Sequence, residues 1–177
     1  TAKSKLLELA TEIHPGSRSI QADVSSQAGL FGACVQAEDL YTGKKQWTIT
    51  PGAMALAHEH GVCAIDEFNL YKGEKSDFNN AMEAGVIEIS KVIKAKLKTP
   101  APVIAGANPM NGNKKKWIRG ERVPYTEQIG LDFAMLQRFS LIFVLEDTPD
   151  KDRDKNIALS MLKGITIAED DDDEEDE

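Results

Sequence analysis

The sequence predicts an α/β fold in which a parallel β-sheet lies between helices. Helical and strand-like patterns alternate along the 177 residues, and no internal repeat is present. Three apolar runs lack polar alternation, which is typical of strands in a parallel sheet covered on both faces. Polar residues follow the first two runs, and open α/β sheets bind ligands at the carboxyl ends of such strands. A ligand site is therefore expected at that edge.

The predicted elements follow in chain order. Residues 4–13 carry leucine, alanine and isoleucine at helical intervals, and Pro15-Gly16 is expected to end this helix. Residues 19–24 are expected to form a short extended stretch. The remaining strand candidates are the three apolar runs, which with the polar residues that follow them span residues 61–68, 101–109 and 141–147.

Composition excludes several classes of protein. The chain is 41% hydrophobic and 28% charged, as is usual for a soluble globular protein. No apolar run approaches the roughly 20 residues that cross a bilayer, so no membrane association is expected. Cys34 and Cys63 are not part of any CxxC pair, which argues against a disulfide framework or a zinc site.

The negative charge is concentrated at the carboxyl end. Residues 169–177 are all acidic. The rest of the chain carries 21 basic and 20 acidic groups and is therefore nearly neutral, although the net charge of the whole chain is -8. Because such a segment repels itself and cannot bury apolar surface, residues 165–177 are predicted to be a disordered acidic tail. The tail either solubilises the chain or docks as a DNA mimic on the protein's own basic surface.

Five polar residues favour a nucleotide site. Asp66 and Glu67 leave one predicted strand side by side, so Asp66 can hold a hydrated Mg2+ while Glu67 orients the attacking water. Asn108 follows the next apolar run and can position that water. Lys3 and Ser4 open a helix, where an ammonium and a hydroxyl suit phosphates and their metal. Each feature alone also fits a solvated turn or surface lysine, but together they favour nucleotide binding.

A basic, strand-like pattern is found at the end of residues 86–98. The alternation places Lys94, Lys96 and Lys98 on one face and apolar residues on the other. A cationic face of this kind binds nucleic-acid phosphates without reading sequence. The alternative is an ordinary amphipathic hairpin with one solvated face.

Six blocks of the sequence resemble, in the same order, the AAA+ ATPase domain of minichromosome maintenance (MCM) replicative helicases in an archaeal-like form. They are TAKSKLL, SSQAGLFGACVQ, TGKKQWTITPGAMALAHEHGVCAIDEF, AMEAGVIEISK, AGANP and LQRFSLIFVLED. Many AAA+ proteins have a strand ending in carboxylates, but few have the SSQAGL and TPGAMALA blocks. The resemblance implies a P-loop NTPase core with β-hairpin inserts over residues 1–164, without the first central strand and the helical lid.

The resemblance also implies functional residues. Thr1, Ala2, Lys3 and Ser4 match the end of the phosphate loop that binds ATP. Asp66 and Glu67 match the Walker B motif, with Ser4 and Asp66 as Mg2+ ligands, and Asn108 matches sensor 1. The expected cofactors are therefore ATP and Mg2+, with Glu67 and Asn108 acting in catalysis.

Further matches imply a ring that contains DNA. Arg138 matches an arginine finger that reaches the nucleotide of a neighbouring subunit, which implies a homo-oligomeric ring, commonly a hexamer. Gln137 and Ser140 depart from the usual sequence around this arginine. Lys91 matches the tip of the DNA-binding hairpin formed with Lys94, Lys96 and Lys98, and residues 24–53 match a second insert that lines the channel.

The expected function is an ATP-dependent DNA helicase subunit of DNA replication, located with the nucleoid in the cytoplasm, or in the nucleus of a eukaryote. Because inteins in this family interrupt the phosphate loop and Thr1 is a suitable nucleophile, the chain is predicted to be the downstream part of an interrupted or split gene, or a truncated sequence. One alternative is a non-hydrolysing remnant that binds DNA or a helicase. Another is a magnesium-chelatase-like AAA+ subunit.

Overall fold

The structure, a computed structural model, describes residues 3–110, 117, 124–145, 151 and 154–160. The chain divides into two compact units, residues 2–144 and residue 1 with residues 145–177. In its described part the second unit is helical over residues 154–160. The predicted acidic tail lies outside the described residues.

The first unit contains six α-helices and seven strands in its described part. The helices are α1 Lys3–Ile13, α2 Gln27–Phe31, α3 Ala53–Leu56, α4 Ser76–Ala84, α5 Tyr125–Gln128 and α6 Phe133–Leu136. The strands are β1 Arg18–Gln21, β2 Gly32–Glu38, β3 Lys45–Pro51, β4 Cys63–Asp66, β5 Val86–Ser90, β6 Lys94–Lys98 and β7 Val103–Ala105.

The predicted parallel sheet is confirmed in the order β1-β4-β7. Ile65, at the centre of the sheet, pairs with Ile20 on one side and with Ala105 on the other. Helix α1 packs against β1 and β4, as the prediction of a sheet beside helices requires. Its bounds confirm the predicted helix, and the chain turns directly after it, where the backbone N–H of Ser17 donates to the carbonyl of His14 at 3.1 Å.

The third predicted strand is wrong over its described part. Residues 141–145 have no regular secondary structure, and Leu141 and Phe143 are 73% and 79% exposed. An apolar run gains from burial, but a strand also needs a neighbour whose backbone groups pair with its own. Strand β7 pairs only with β4 in the described sheet, and no described strand pairs with this run.

Two antiparallel hairpins confirm the predicted inserts. Strands β2 and β3 pair from Gly32 with Pro51 to Glu38 with Lys45. Strands β5 and β6 pair from Val86 with Lys98 to Ser90 with Lys94. Along β6 the three lysines are exposed and the residues between them are half-buried, which confirms the predicted cationic face.

Aromatic side chains form the centre of the core. Phe78 is fully buried, and its ring meets those of Phe31, Phe68 and Tyr71 edge to face at centroid distances of 4.7, 4.8 and 5.1 Å. Such pairs stabilise a fold beyond the area that they bury. Because Phe68 follows Glu67, this cluster lies next to the end of β4. In the described part of the chain, no helix is both long and apolar enough to span a bilayer.

Candidate functional site

Helix α1 and strand β4 meet at the carboxyl end of the sheet. The hydroxyl of Ser4 donates to Oδ2 of Asp66 at 2.5 Å, although 62 positions separate the two residues. The other carboxylate oxygen, Oδ1, accepts from the backbone N–H of Glu67 at 2.9 Å. The buried side chain of Leu7 anchors the first turns of α1 on the sheet. The predicted partners Ser4 and Asp66 are therefore in direct contact.

Glu67 has a strained backbone. With φ of 53° and ψ of 35°, it is the one non-glycine residue at positive φ in the described chain. Residues held in this region cost about 1–3 kcal/mol and are concentrated at functional sites. Its Oε1 accepts from the side-chain amide of Asn108 at 3.1 Å, whereas its buried Oε2 has no hydrogen-bond partner among the described residues.

Asn69 orients the loop that carries Asn108. Its buried side chain donates to the carbonyls of Asn108 and Ile129 at 2.8 and 3.2 Å, and accepts from the backbone N–H of Asn108 at 3.3 Å. Sequence reasoning missed this residue. The available signal was a polar residue inside the apolar segment that follows the two carboxylates.

Gly106 allows the two neighbouring strand ends to approach each other. A Cβ at this position would lie 2.8 Å from Oδ1 of Asp66 and 3.1 Å from Cδ1 of Leu7. Its backbone also continues the sheet, because its N–H donates to the carbonyl of Ile65 and its carbonyl accepts from Phe68. Sequence reasoning missed Gly106 as well, although a glycine between an apolar run and Asn108 was the available signal.

The donor set fits a magnesium nucleotide. Hydroxyl, carboxylate and amide oxygens are the ligands that Mg2+ prefers, and proteins usually bind Mg2+ with one or two carboxylates together with substrate phosphates. Among the described residues, no group of three or more His, Cys, Asp or Glu could hold a metal ion. The unpaired Oε2 of Glu67 leaves an acceptor for a water molecule beside this position.

The phosphate-loop residues are described only in part. Lys3 is the first residue of α1 and is half-buried, so it lies one position before Ser4 at the helix amino end. Helix amino ends attract phosphate because their backbone N–H groups are unpaired and the helix dipole is positive there. Thr1 and Ala2 lie outside the described residues, and their role stays a prediction.

Arg138 makes an ion pair within its own chain. Its Nη2 lies 2.7 Å from Oε2 of Glu83 in α4. The next residue, Phe139, meets the ring of Phe68 edge to face at 5.7 Å. The backbone of Arg138 therefore lies next to a residue that packs on the core beside the site. Its guanidinium contacts Glu83 in α4 and not the carboxylates of Asp66 and Glu67.

The predicted DNA-binding lysines lie on the β5–β6 hairpin. Lys91 is at its exposed turn, and Lys94, Lys96 and Lys98 are exposed along β6. Lys96 lies opposite Glu88 in the register, and their charged atoms are 2.6 Å apart. The Glu88 carboxylate raises the pKa of Lys96, and Lys96 lowers the pKa of Glu88, through a hydrogen bond and charge attraction. Sequence reasoning missed this pair because it treated β6 alone.

Comparison with known proteins identifies MCM proteins, by a family model and by individual relatives. The family model of the MCM P-loop domain matches residues 1–164. An uncharacterized MCM-type protein of Methanocaldococcus jannaschii is 37% identical over 88% of the chain and 22% of its own length. A probable DNA helicase MCM8 of Arabidopsis thaliana is 34% identical over 90% of the chain and 19% of its own length. The DNA replication licensing factor mcm7-B of Xenopus laevis is 34% identical over 89% of the chain and 21% of its own length.

The chain thus spans about a fifth of the length of the curated relatives that it matches. The matched region contains Ser4, Asp66, Glu67, Asn108 and Arg138. All the side chains of the candidate site therefore lie within the region that the chain shares with these proteins.

Proposed function

Because this chain belongs to the MCM family of P-loop proteins, we propose that it contributes the hydrolytic side of an ATP site in a DNA helicase subunit of DNA replication. Relatives named as a probable DNA helicase and as a replication licensing factor support this proposal. With this function the chain acts on chromosomal DNA, in the nucleoid or, in a eukaryote, in the nucleus.

One observation carries the proposal. Four oxygen- and amide-bearing side chains from three separate segments meet in two direct contacts, Ser4 with Asp66 and Glu67 with Asn108. Asp66 and Glu67 are consecutive, so the two contacts form one continuous group. A solvated surface turn needs neither the buried unpaired oxygen of Glu67 nor its left-handed backbone.

Each residue then has a distinct task in ATP hydrolysis. Ser4 and Asp66 would hold Mg2+, which would neutralise charge on the nucleotide phosphates. Oε1 of Glu67 is held by Asn108, so Oε2 is free to accept a hydrogen bond from the attacking water and orient it. Lys3, at the amino end of α1, supplies a cation for the terminal phosphates.

The proposed assembly is a homo-oligomeric ring, most simply a hexamer. A guanidinium supplied by a neighbour makes hydrolysis depend on assembly, because it neutralises charge in the transition state. Arg138 is 32% exposed, which makes its side chain accessible from outside its own chain. Within the ring, the lysines of the β5–β6 hairpin contact DNA phosphates and give binding that depends on salt but not on sequence.

Calorimetric titration with Mg2+ and a non-hydrolysable ATP analogue tests the proposal. The titration uses the 177-residue chain and the same chain joined at its amino end to a glycine-rich phosphate-loop segment of the family. We expect binding in the joined chain, loss of that binding in Lys3→Ala, and no change in Lys5→Ala. Lys5 is the matched control because it is exposed and pairs with Glu8 at 2.8 Å. Equal affinity in Lys3→Ala and the parent would contradict the assignment.

A second candidate is a binding module without hydrolysis, which acts on DNA or on a complete helicase. The exposed apolar run at residues 141–144 favours it, because contiguous exposed apolar surface marks interaction sites. DNA binding with no nucleotide binding in the joined chain would select this candidate. DNA-independent ATPase activity would instead select a magnesium-chelatase-like machine.

A further inference from the structure

We propose that Glu83 is a positioning residue that holds Arg138 and connects it to the basic β5–β6 hairpin, so that nucleic acid bound to the hairpin releases the arginine. This inference rests on the proposed function for the partners of the hairpin and of the arginine. The contacts that connect the hairpin to the arginine all lie within this chain.

The ion pair is suited to opening and closing. Glu83 and Arg138 approach to 2.7 Å, yet their side chains are 60% and 32% exposed. Solvent screens a pair of this kind, so breaking it changes the energy of the chain little. The same guanidinium can therefore exchange its carboxylate partner for a phosphate of a neighbouring copy.

Both strands of the hairpin are tied to the helix turn that carries Glu83. Helix α4 ends at Ala84, and the following cap residue, Gly85, turns the chain directly into β5 with a φ of 62°. On the other strand, the buried Thr99 follows β6, and its hydroxyl donates to the carbonyl of Ala81 at 2.9 Å. Its backbone N–H donates to the carbonyl of Gly85, also at 2.9 Å. A displacement of the hairpin is therefore transmitted to the last turn of α4.

The arginine is tied to the candidate active site on its other side. Phe139 follows Arg138 and packs edge to face on Phe68, the residue after Glu67. Glu83 thus lies between the nucleic-acid hairpin and a segment that contacts the core beneath the catalytic carboxylate. When phosphates pull the lysines of β6, the end of α4 shifts, the pair opens and the guanidinium of Arg138 becomes available.

Chemical modification of Arg138 tests the inference on the full chain. Phenylglyoxal modifies accessible guanidinium groups, and peptide mass spectrometry gives the rate at each arginine with and without single-stranded oligodeoxythymidine. We expect Glu83→Gln to raise the rate at Arg138 about two- to fivefold without DNA, the factor that corresponds to an exposed ion pair. The oligonucleotide should raise the rate in the parent chain but not further in Glu83→Gln.

Glu88→Gln is the matched control, because it removes the same charge within the hairpin and does not contact Arg138. It should strengthen oligonucleotide binding and leave the rate at Arg138 without DNA unchanged. Arg18, at the start of β1, is the internal reference in every sample. Circular dichroism confirms that each variant is folded.

The outcomes separate this inference from the proposed function. If fluorescence anisotropy shows that the oligonucleotide binds while the rate at Arg138 stays constant, the coupling is wrong and the DNA-binding role stands. If the oligonucleotide does not bind, the role of the hairpin in the proposed function fails. The rate in Glu83→Gln without DNA still decides the positioning role, and an unchanged rate overturns it.

Discussion

Ser4 donates its hydroxyl proton to Asp66 across 62 positions of sequence, at a distance of 2.5 Å. The contact joins the first turn of α1 to the end of β4, and so brings the predicted phosphate-loop helix to the predicted metal ligand. Both side chains are hard oxygen ligands, which Mg2+ binds well. The other polar groups of the site are arranged around this contact.

Replacement of Glu67 by glutamine should separate stability from activity. The amide preserves the shape and the acceptor for Asn108, and it removes the charge from a buried oxygen without a hydrogen-bond partner. We expect the free energy of unfolding in urea to stay equal or rise by up to about 1 kcal/mol. Hydrolysis in the joined chain should fall at least about 100-fold. Glu74→Gln, at an exposed position without regular secondary structure, is the control for both measurements. A destabilised Glu67→Gln would show that the carboxylate is structural.

Gly106→Ala should damage the site through a steric clash. The added Cβ would lie 2.8 Å from Asp66 Oδ1 and 3.1 Å from Leu7. Overpacking of this kind costs about 1–3 kcal/mol, which thermal or urea unfolding will measure. Gly29→Ala in helix α2 is the matched control. The atom nearest to a Cβ added at Gly29 is Ser26 Oγ, at an ordinary contact distance of 3.5 Å. Equal stability of Gly106→Ala and the parent would contradict the close approach.

The buried thiol of Cys63 should make stability fall at alkaline pH. Burial raises the pKa of Cys63 from 9.0 to about 11, so the folded chain keeps a proton that the unfolded chain releases. This contribution is complete below pH 9 and is lost as the pH rises toward 11, up to about 3 kcal/mol. Urea unfolding from pH 8 to 11 should therefore show a shallower decline for Cys63→Ala than for Cys34→Ala. Parallel declines in the two variants would exclude the effect.

The exposed apolar run should promote association without contributing to stability. Phe143 is exposed, so Phe143→Lys is expected to lower binding of an apolar fluorescent dye and to reduce self-association in ultracentrifugation. Its free energy of unfolding should change by less than about 0.5 kcal/mol. Phe78→Ala is the contrasting control, because this side chain is fully buried and its loss should cost about 3–5 kcal/mol. A large loss of stability in Phe143→Lys would mean that the run is packed in solution.

The hairpin lysines should contribute unequally to DNA binding. Lys96 is already paired with Glu88 at 2.6 Å, whereas no such ion pair involves Lys94 among the described residues. Lys94→Gln should therefore weaken binding to single-stranded DNA more than Lys96→Gln. It should also reduce the salt slope of the affinity by about 0.7, the value for one phosphate contact on a single strand. Anisotropy titrations over a range of salt concentrations give both quantities, and identical losses would show that the Glu88 pair opens on binding.

Local patterns were sufficient to predict much of the sheet and its polar edge. The helical spacing of residues 4–13 and the apolar runs around Ile65 and Ile104 correspond to α1, β4 and β7. These elements are predictable because side-chain periodicity and burial on both faces act within a few residues. The same reasoning failed for residues 141–145, since a strand also depends on a neighbour that is distant in sequence.

The sequence by itself determined the α/β class, the positions of the carboxylates at a strand end and the alternating face of β6. Only the tertiary structure decided that Ser4 contacts Asp66, that Glu67 has a left-handed backbone, and that Arg138 pairs with Glu83. The physical reason is the range of the interactions. Backbone preference and periodicity depend on adjacent residues, whereas these contacts arise only when packing brings separate elements within hydrogen-bonding distance.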